Sequence, residues 1–212
     1  MKTLYSIYPK EQLQDLPVVS FNGRIEVVES ESVADRAVKY LLTQPILGFD
    51  TETRPSFKKG HMNKVALLQV SSRDICFLFR LCHMGIPDCL IDLLTDKNII
   101  KIGLSLKDDF MMLSKRRSFL PGTYVELQEM VAEYGIEDRS LQKIYANLFN
   151  EKISKSAQLS NWESDLLTEK QQLYAATDAW ACIQIYEKLL TIDKRHLILT
   201  HIEYDENLLE KR

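Results

Sequence analysis

No stretch of this 212-residue chain approaches the roughly eighteen apolar residues of a membrane-spanning helix. Its N-terminus, Met1-Lys2-Thr3-Leu4-Tyr5-Ser6-Ile7-Tyr8-Pro9-Lys10, also lacks the apolar core of a signal peptide. These two absences exclude a membrane-embedded class and predict a soluble, cytoplasmic protein. No Cys-x-x-Cys pair occurs: Cys76, Cys82, Cys89 and Cys182 stand apart among apolar residues, which predicts buried free thiols in a reducing compartment and excludes a zinc site or disulfide framework. A basic surplus is missing as well. The 27 Lys and Arg against 30 Asp and Glu leave a net charge of −3, which argues against an extensive duplex-binding surface. Positive charge is local, in Lys58-Lys59-Gly60-His61 with Lys64, in Lys115-Arg116-Arg117, and in Lys152 with Lys155, each read first as a solvated loop. No internal repeat or low-complexity tract appears, and 45% hydrophobic with 27% charged residues predicts one sizeable core and one domain.

What the chain does have is an ordered set of apolar runs. Arg24 to Val28 reads as a short strand, and Ser32-Val33-Ala34-Asp35 as a capping box opening a helix to about Thr43. Strands follow at about Ile46 to Glu52, Val65 to Ser71 and Ile75 to Phe79, then a short helix after Pro87 and a strand around Ile99. Ser105 is the expected N-cap of the next helix; further helices are expected near Val125 to Tyr134, from Ser140 to Leu148, and from Thr168 to Leu190. Three consecutive strands followed by alternating helix and strand give an α/β fold, a mixed central sheet flanked by helices.

Two fragments carry chemistry. In Gly48-Phe49-Asp50-Thr51-Glu52 the period of two puts Asp50 and Glu52 on one face, at the C-terminal end of a buried strand, where open α/β sheets place ligands and where a packed core would want apolar groups. In Leu173-Tyr174-Ala175-Ala176-Thr177-Asp178-Ala179, Tyr174 and Asp178 sit four apart on a helix and point the same way. Hard oxygen ligands so spaced suit Mg²⁺ or Mn²⁺ and phosphoryl chemistry. Each fragment alone is weak: with 14 Asp and 16 Glu, chance supplies roughly one Asp-x-Glu. Tyr134-Gly135-Ile136-Glu137-Asp138 repeats the Tyr-x-x-x-Asp spacing as a decoy, broken by a glycine and followed by no long apolar helix. A third element, Asp108-Asp109, enters a helix after the Ile99 strand; either acid can join a metal site, and either can instead complement the helix dipole.

Taken with Lys64-Val65-Ala66-Leu67-Leu68-Gln69 and Ser160-Asn161-Trp162, these segments resemble, in the right order from about Pro45 to Leu190, the DEDDy-type 3′–5′ exonucleases, most of all the branch found in the Werner syndrome helicase and more distantly ribonuclease D. The resemblance implies a ribonuclease H-like fold over 24–190, between an N-terminal extension at 1–23 and a C-terminal one at 191–212, the latter ending in a mobile tail from Asp205 to Arg212. It implies two divalent ions, Mg²⁺ or Mn²⁺, held by Asp50, Glu52, Asp109 and Asp178, with Tyr174 holding the attacking water. It favours Asp109 over Asp108 because the apolar Leu113 follows by four residues, as in the family's pattern. The substrate it implies is the 3′ end of DNA or RNA, released as nucleoside 5′-monophosphates.

Candidate nucleic-acid contacts are Thr51, Phe57, Lys64 and Trp162. Phe57 is read as a wedge on the terminal base or as core cover, Lys64 as a phosphate contact or a strand flank, and Trp162 as a base-stacking ring or a helix-packing anchor. The alternatives by function are a catalytically silent nucleic-acid-binding module of the same fold, a small-nucleotide phosphohydrolase, and a protein-interaction scaffold needing no metal. Retention of all the carboxylates counts against the first. The sequence lacks the appended helical domains of the larger relatives, which leaves substrate choice open to an unidentified protein partner.

Overall fold

The computed structural model describes residues 2–56, 60 and 62–200. In chain order its elements are β1 (Lys2–Tyr5), β2 (Val18–Val19), β3 (Arg24–Val28), α1 (Glu31–Leu41), β4 (Ile46–Thr53), β5 (Val65–Ser71), β6 (Ile75–Arg80), α2 (Leu81–Met84), α3 (Asp88–Thr95), β7 (Ile100–Gly103), α4 (Leu106–Ser114), β8 (Tyr124–Glu126), α5 (Leu127–Ala132), α6 (Leu141–Phe149), β9 (Lys152–Ile153), α7 (Glu169–Leu190) and β10 (Leu197–Thr200). Six strands form one mixed sheet in the order β3-β6-β5-β4-β7-β8. The β4–β5–β6 meander is antiparallel, and β3, β7 and β8 join in parallel. All seven residues of β5 are buried, as befits a strand covered on both faces.

The pleat of β4 divides the interior. Leu47 and Phe49 face the layer built from α1, α3 and α4, where Leu90, Leu94, Phe110 and Leu113 complete the cluster. Gly48, Asp50 and Glu52 face the other way, toward α7. That helix is admitted closely because small residues line its inner side: Ala175, Ala176 and Ala179 are fully buried. A Cβ at Gly48 would stand only 1.9 Å from the Ala179 carbonyl oxygen, so glycine is required at this crossing. The start of α7 is fixed by a capping box in which the Thr168 side chain accepts from the Gln171 amide and Gln171 bonds back. The loop before it is tethered by the fully buried Arg80, whose guanidinium donates to the carbonyls of Ser164 and Asp165.

Several local expectations are corrected. The first helix is entered from Ser30, in extended conformation, and Ser32 lies inside it. Val125 belongs to the short strand β8, because pairing with β7 captures Tyr124–Glu126 before α5 begins. Ser105 occupies the N-cap position of α4 but in the left-handed region, φ 64°, with no side-chain cap bond. Its place is taken by Glu126, whose carboxylate accepts from the backbone N–H groups of Ser105 and Leu106 at 2.9 and 2.7 Å. Cys76 and Cys182 are buried, whereas Cys82 and Cys89 are only half-buried; all four are free.

The N-terminal stretch is braced against the domain. β1 pairs with β10, the Tyr5 backbone exchanges hydrogen bonds with the Asn147 amide, and the Tyr8 N–H donates to Asp138. β2 pairs with β9. The expected tail from Asp205 to Arg212 lies outside the described residues. Among the described residues no helix is long and apolar enough to cross a membrane.

Candidate active site

Carboxylates from two elements meet at the end of β4. Asp50, Glu52 and Asp178 each offer an oxygen within 4.8 Å of the others, a cluster able to hold a metal ion. Their convergence follows from the Gly48–Ala179 crossing: once α7 lies on that glycine, Asp178, one residue before Ala179, reaches the strand end two residues beyond Gly48. Tyr174, one turn earlier on α7, sets its hydroxyl beside the Asp178 carboxylate, and each influences the other's ionisation. Asp109 comes from the opposite helical layer. It is half-buried on the first turn of α4, and the Thr51 hydroxyl donates to its Oδ1. Thr51 alternates with Asp50 and Glu52 along β4, so one strand presents two acids of the cluster on one face and reaches Asp109 from the other. Asp108 is exposed to solvent and is not part of the three-acid cluster.

Burial and mutual repulsion dominate the electrostatics. Loss of solvent, then the neighbouring Asp178, push the Asp50 carboxyl well above its ordinary range, with the Thr51 backbone N–H pulling slightly back. Burial first, and then Asp50, Asp178 and Asp109, raise Glu52 to about 10. Burial raises Asp178 to about 7, against the opposing effects of the Tyr174 hydroxyl and Lys155. Asp109 is likewise raised, by burial and then Asp50, while Thr51 favours its ionised form. Burial, followed by Asp178 and Glu52, drives the Tyr174 hydroxyl upward, so it remains a neutral donor at physiological pH. These acids are crowded without matching positive charge from the polypeptide, which is the electrostatic condition for taking up a hard cation.

A cavity of about 410 Å³ opens in front of the cluster, lined by Asp50, Glu52, Tyr174 and Asp178 together with Arg139, Gln142, Lys155 and Gln158. Reading the sequence passed over Arg139 and left Lys155 as part of a solvated loop, yet both line the cavity. The available signal for Lys155 was its spacing from Lys152, but Lys152 donates to the Gln14 carbonyl while Lys155 faces the site. For Trp162 the base-stacking reading fails and the packing reading holds. At 0% exposure it has no face free to stack on a base; it packs against the Tyr174 ring, centroids 6.0 Å apart, and holds that ring in place. Lys64 is exposed just before β5 and does not line the cavity. Phe57 lies outside the described residues.

The signature of the 3′–5′ exonucleases matches residues 25–192, and the chain belongs to that family. It is 37% identical over 178 residues to exonuclease 3′-5′ domain-containing protein 2 of Drosophila melanogaster, covering 78% of this chain and 30% of that one. It is 31% identical over 210 residues to the bifunctional 3′-5′ exonuclease/ATP-dependent helicase WRN of Mus musculus, covering 94% of this chain and 15% of that one. The chain thus spans less than a third of either relative. In fold it superposes on the exonuclease domain of Aedes aegypti Nibbler with a TM-score of 0.74 at 19% identity, over 84% of this chain and 96% of that one. Escherichia coli RNase D gives a TM-score of 0.72 at 20% identity, over 79% of this chain and 44% of that one. The mixed sheet with helices on both faces is the ribonuclease H-like fold of these exonuclease domains.

Proposed function

We propose that the protein hydrolyses the terminal phosphodiester at the 3′ end of a DNA or RNA strand, releasing nucleoside 5′-monophosphates one at a time. The observation that carries this reading is the meeting of Asp50, Glu52 and Asp178 within 4.8 Å, only partly compensated by Lys155, beside a tyrosine hydroxyl. The donor set is all hard oxygen and fits Mg²⁺ or Mn²⁺; Asp50, Glu52 and Asp178, joined by Asp109, would hold two such ions. When bound, they supply positive charge at the scissile phosphate and acidify water.

The remaining work belongs to side chains. Thr51 fixes the Asp109 carboxylate, and Glu126 fixes the start of the helix that carries it. Tyr174, neutral and buttressed by Trp162, orients the attacking water through its hydroxyl. Lys155 and Arg139, which line the same cavity, meet the phosphates of the strand end. Gripping only an end needs few cations, which agrees with a chain of net charge −3. The four free cysteines support a reducing setting such as the cytoplasm. We take 24–190 as the exonuclease unit, with the described flanking residues, 2–23 and 191–200, as braces.

Labelled DNA, RNA and hybrid oligonucleotides test the reading. Shortening from the 3′ end, dependent on Mg²⁺ or Mn²⁺ and yielding mononucleotides, is expected; activity that survives chelation by EDTA would overturn it.

A further inference from the structure

Directly across the sheet from Asp50 stands Gln69 of β5. It is 0% exposed, and among the described residues neither Nε2 nor Oε1 of its amide has a hydrogen-bond partner. Its surroundings offer little. The residue paired with it on β6 is Leu78, and the cluster under this part of α7 comprises Leu67, Leu78, Ala175, Ala176 and Ala179. Ser71, two residues along the same face, spends its hydroxyl on the Ser72 carbonyl. A primary amide has two N–H donors and a carbonyl acceptor, and burying it unpaired opposes folding, whereas leucine or methionine would fill the same space without that penalty. A side chain so placed is held for a partner that the polypeptide does not supply.

Strand geometry identifies that partner. Residues directly opposed on antiparallel strands share a face, with Cβ atoms about 4.5–5.5 Å apart, within reach of a glutamine side chain. The shared face is the one turned toward α7, since Gly48, two residues before Asp50, lies against Ala179. The structure thus sets an idle, buried donor beside the acid at the centre of the cluster. We propose that Gln69 is a positioning residue: its amide N–H engages the Asp50 carboxylate when that carboxylate binds a divalent ion, and so fixes which oxygen faces the ion. Hydrogen bonds from an outer residue to a metal-binding carboxylate orient the ligand and raise metal affinity. This inference rests on the reading of Asp50 as a metal ligand.

The test uses Mn²⁺ alone as the probe, titrated by calorimetry into the full chain as wild type, Gln69→Met and Asp50→Asn, with melting temperatures recorded in EDTA. Methionine keeps the length and volume of glutamine and removes its hydrogen bonding. For Gln69→Met the expected result is an EDTA melting temperature equal to or above wild type, together with Mn²⁺ affinity weakened about 10- to 100-fold. Unchanged affinity, with wild type binding and Asp50→Asn not, overturns the role of Gln69 alone. A lowered melting temperature also overturns it, because the amide would then be serving the fold. Absence of Mn²⁺ binding by wild type overturns both this inference and the metal reading beneath it.

Discussion

Two segments of the chain place a tyrosine four residues before an aspartate, and they have opposite fates. At Tyr134 and Asp138 every polar group is met from within. The Tyr134 hydroxyl donates to the Leu189 carbonyl at 2.7 Å, and the Asp138 carboxylate accepts from the Tyr8 N–H at 2.6 Å and lies 3.1 Å from the Lys143 ammonium. This pair ties the end of α7 and the N-terminal brace to the domain. At Tyr174 and Asp178 the tyrosine hydroxyl reaches its own aspartate, two further carboxylates crowd in, and Lys155 offsets only part of the burial. An acid whose charge the fold answers is architecture. A group of acids left unanswered is a receptor for a cation.

The largest effect that separates the two regions is catalytic. Asp50→Asn and Asp178→Asn are each expected to lower single-turnover exonuclease rates on the order of 10³-fold or more, since each 1.36 kcal/mol of lost transition-state stabilisation is tenfold in rate. Asp138→Asn should leave the rate within a few fold and instead lower stability by about 1–3 kcal/mol in urea unfolding. Equal rate losses at Asp138 and Asp178 would erase the distinction. Within the acid pair of α4, Asp109→Asn should nearly abolish activity and Asp108→Asn should spare it, because only Asp109 is held by Thr51; the reverse result would move the ligand role to Asp108.

The tyrosines sharpen the comparison further. Tyr174→Phe keeps the ring that Trp162 packs against and should fold normally while losing roughly 10²- to 10⁴-fold in turnover. Tyr134→Phe should do the opposite, costing about 0.5–1.5 kcal/mol of stability through its lost bond to Leu189 and leaving turnover intact.

The smallest expected effect is a shift of melting temperature with pH. The clustered carboxyls have raised pKa values in the folded state, so the metal-free native protein binds more protons than the unfolded chain. Their contribution is full below the ordinary carboxylate range near pH 4 and is lost as pH climbs through the raised values, about 7 for Asp178 and about 10 for Glu52. In EDTA the melting temperature should therefore fall between about pH 6 and about pH 8, and Mn²⁺ should restore more of it at the higher pH. A melting temperature that rises over this interval in EDTA would contradict the crowding.

Much of this was legible in the sequence because it is local. The strand Val65–Ser71 has its expected bounds, and the Thr168 cap marks the start of α7, since pleat alternation and capping are written within a few residues. Asp50 and Glu52 share a face for the same reason. What escaped depends on distant partners. β8 has three residues, too few to show a period, and exists because β7 lies beside it. The cap of α4 comes from Glu126, twenty residues along the chain from Leu106. The choice between stacking and packing for Trp162 is made only when α7 covers it, and Lys155 becomes part of the site only when β9 brings its loop to the cavity.

The most direct test of the distinction between answered and unanswered acids is a Mn²⁺ titration of wild type, Asp178→Asn and Asp138→Asn under identical conditions, with heats of binding as the readout. Wild type and Asp138→Asn should bind alike and Asp178→Asn should bind far more weakly or not at all. Undiminished binding by Asp178→Asn, or its loss in Asp138→Asn while that variant remains folded, would contradict the account.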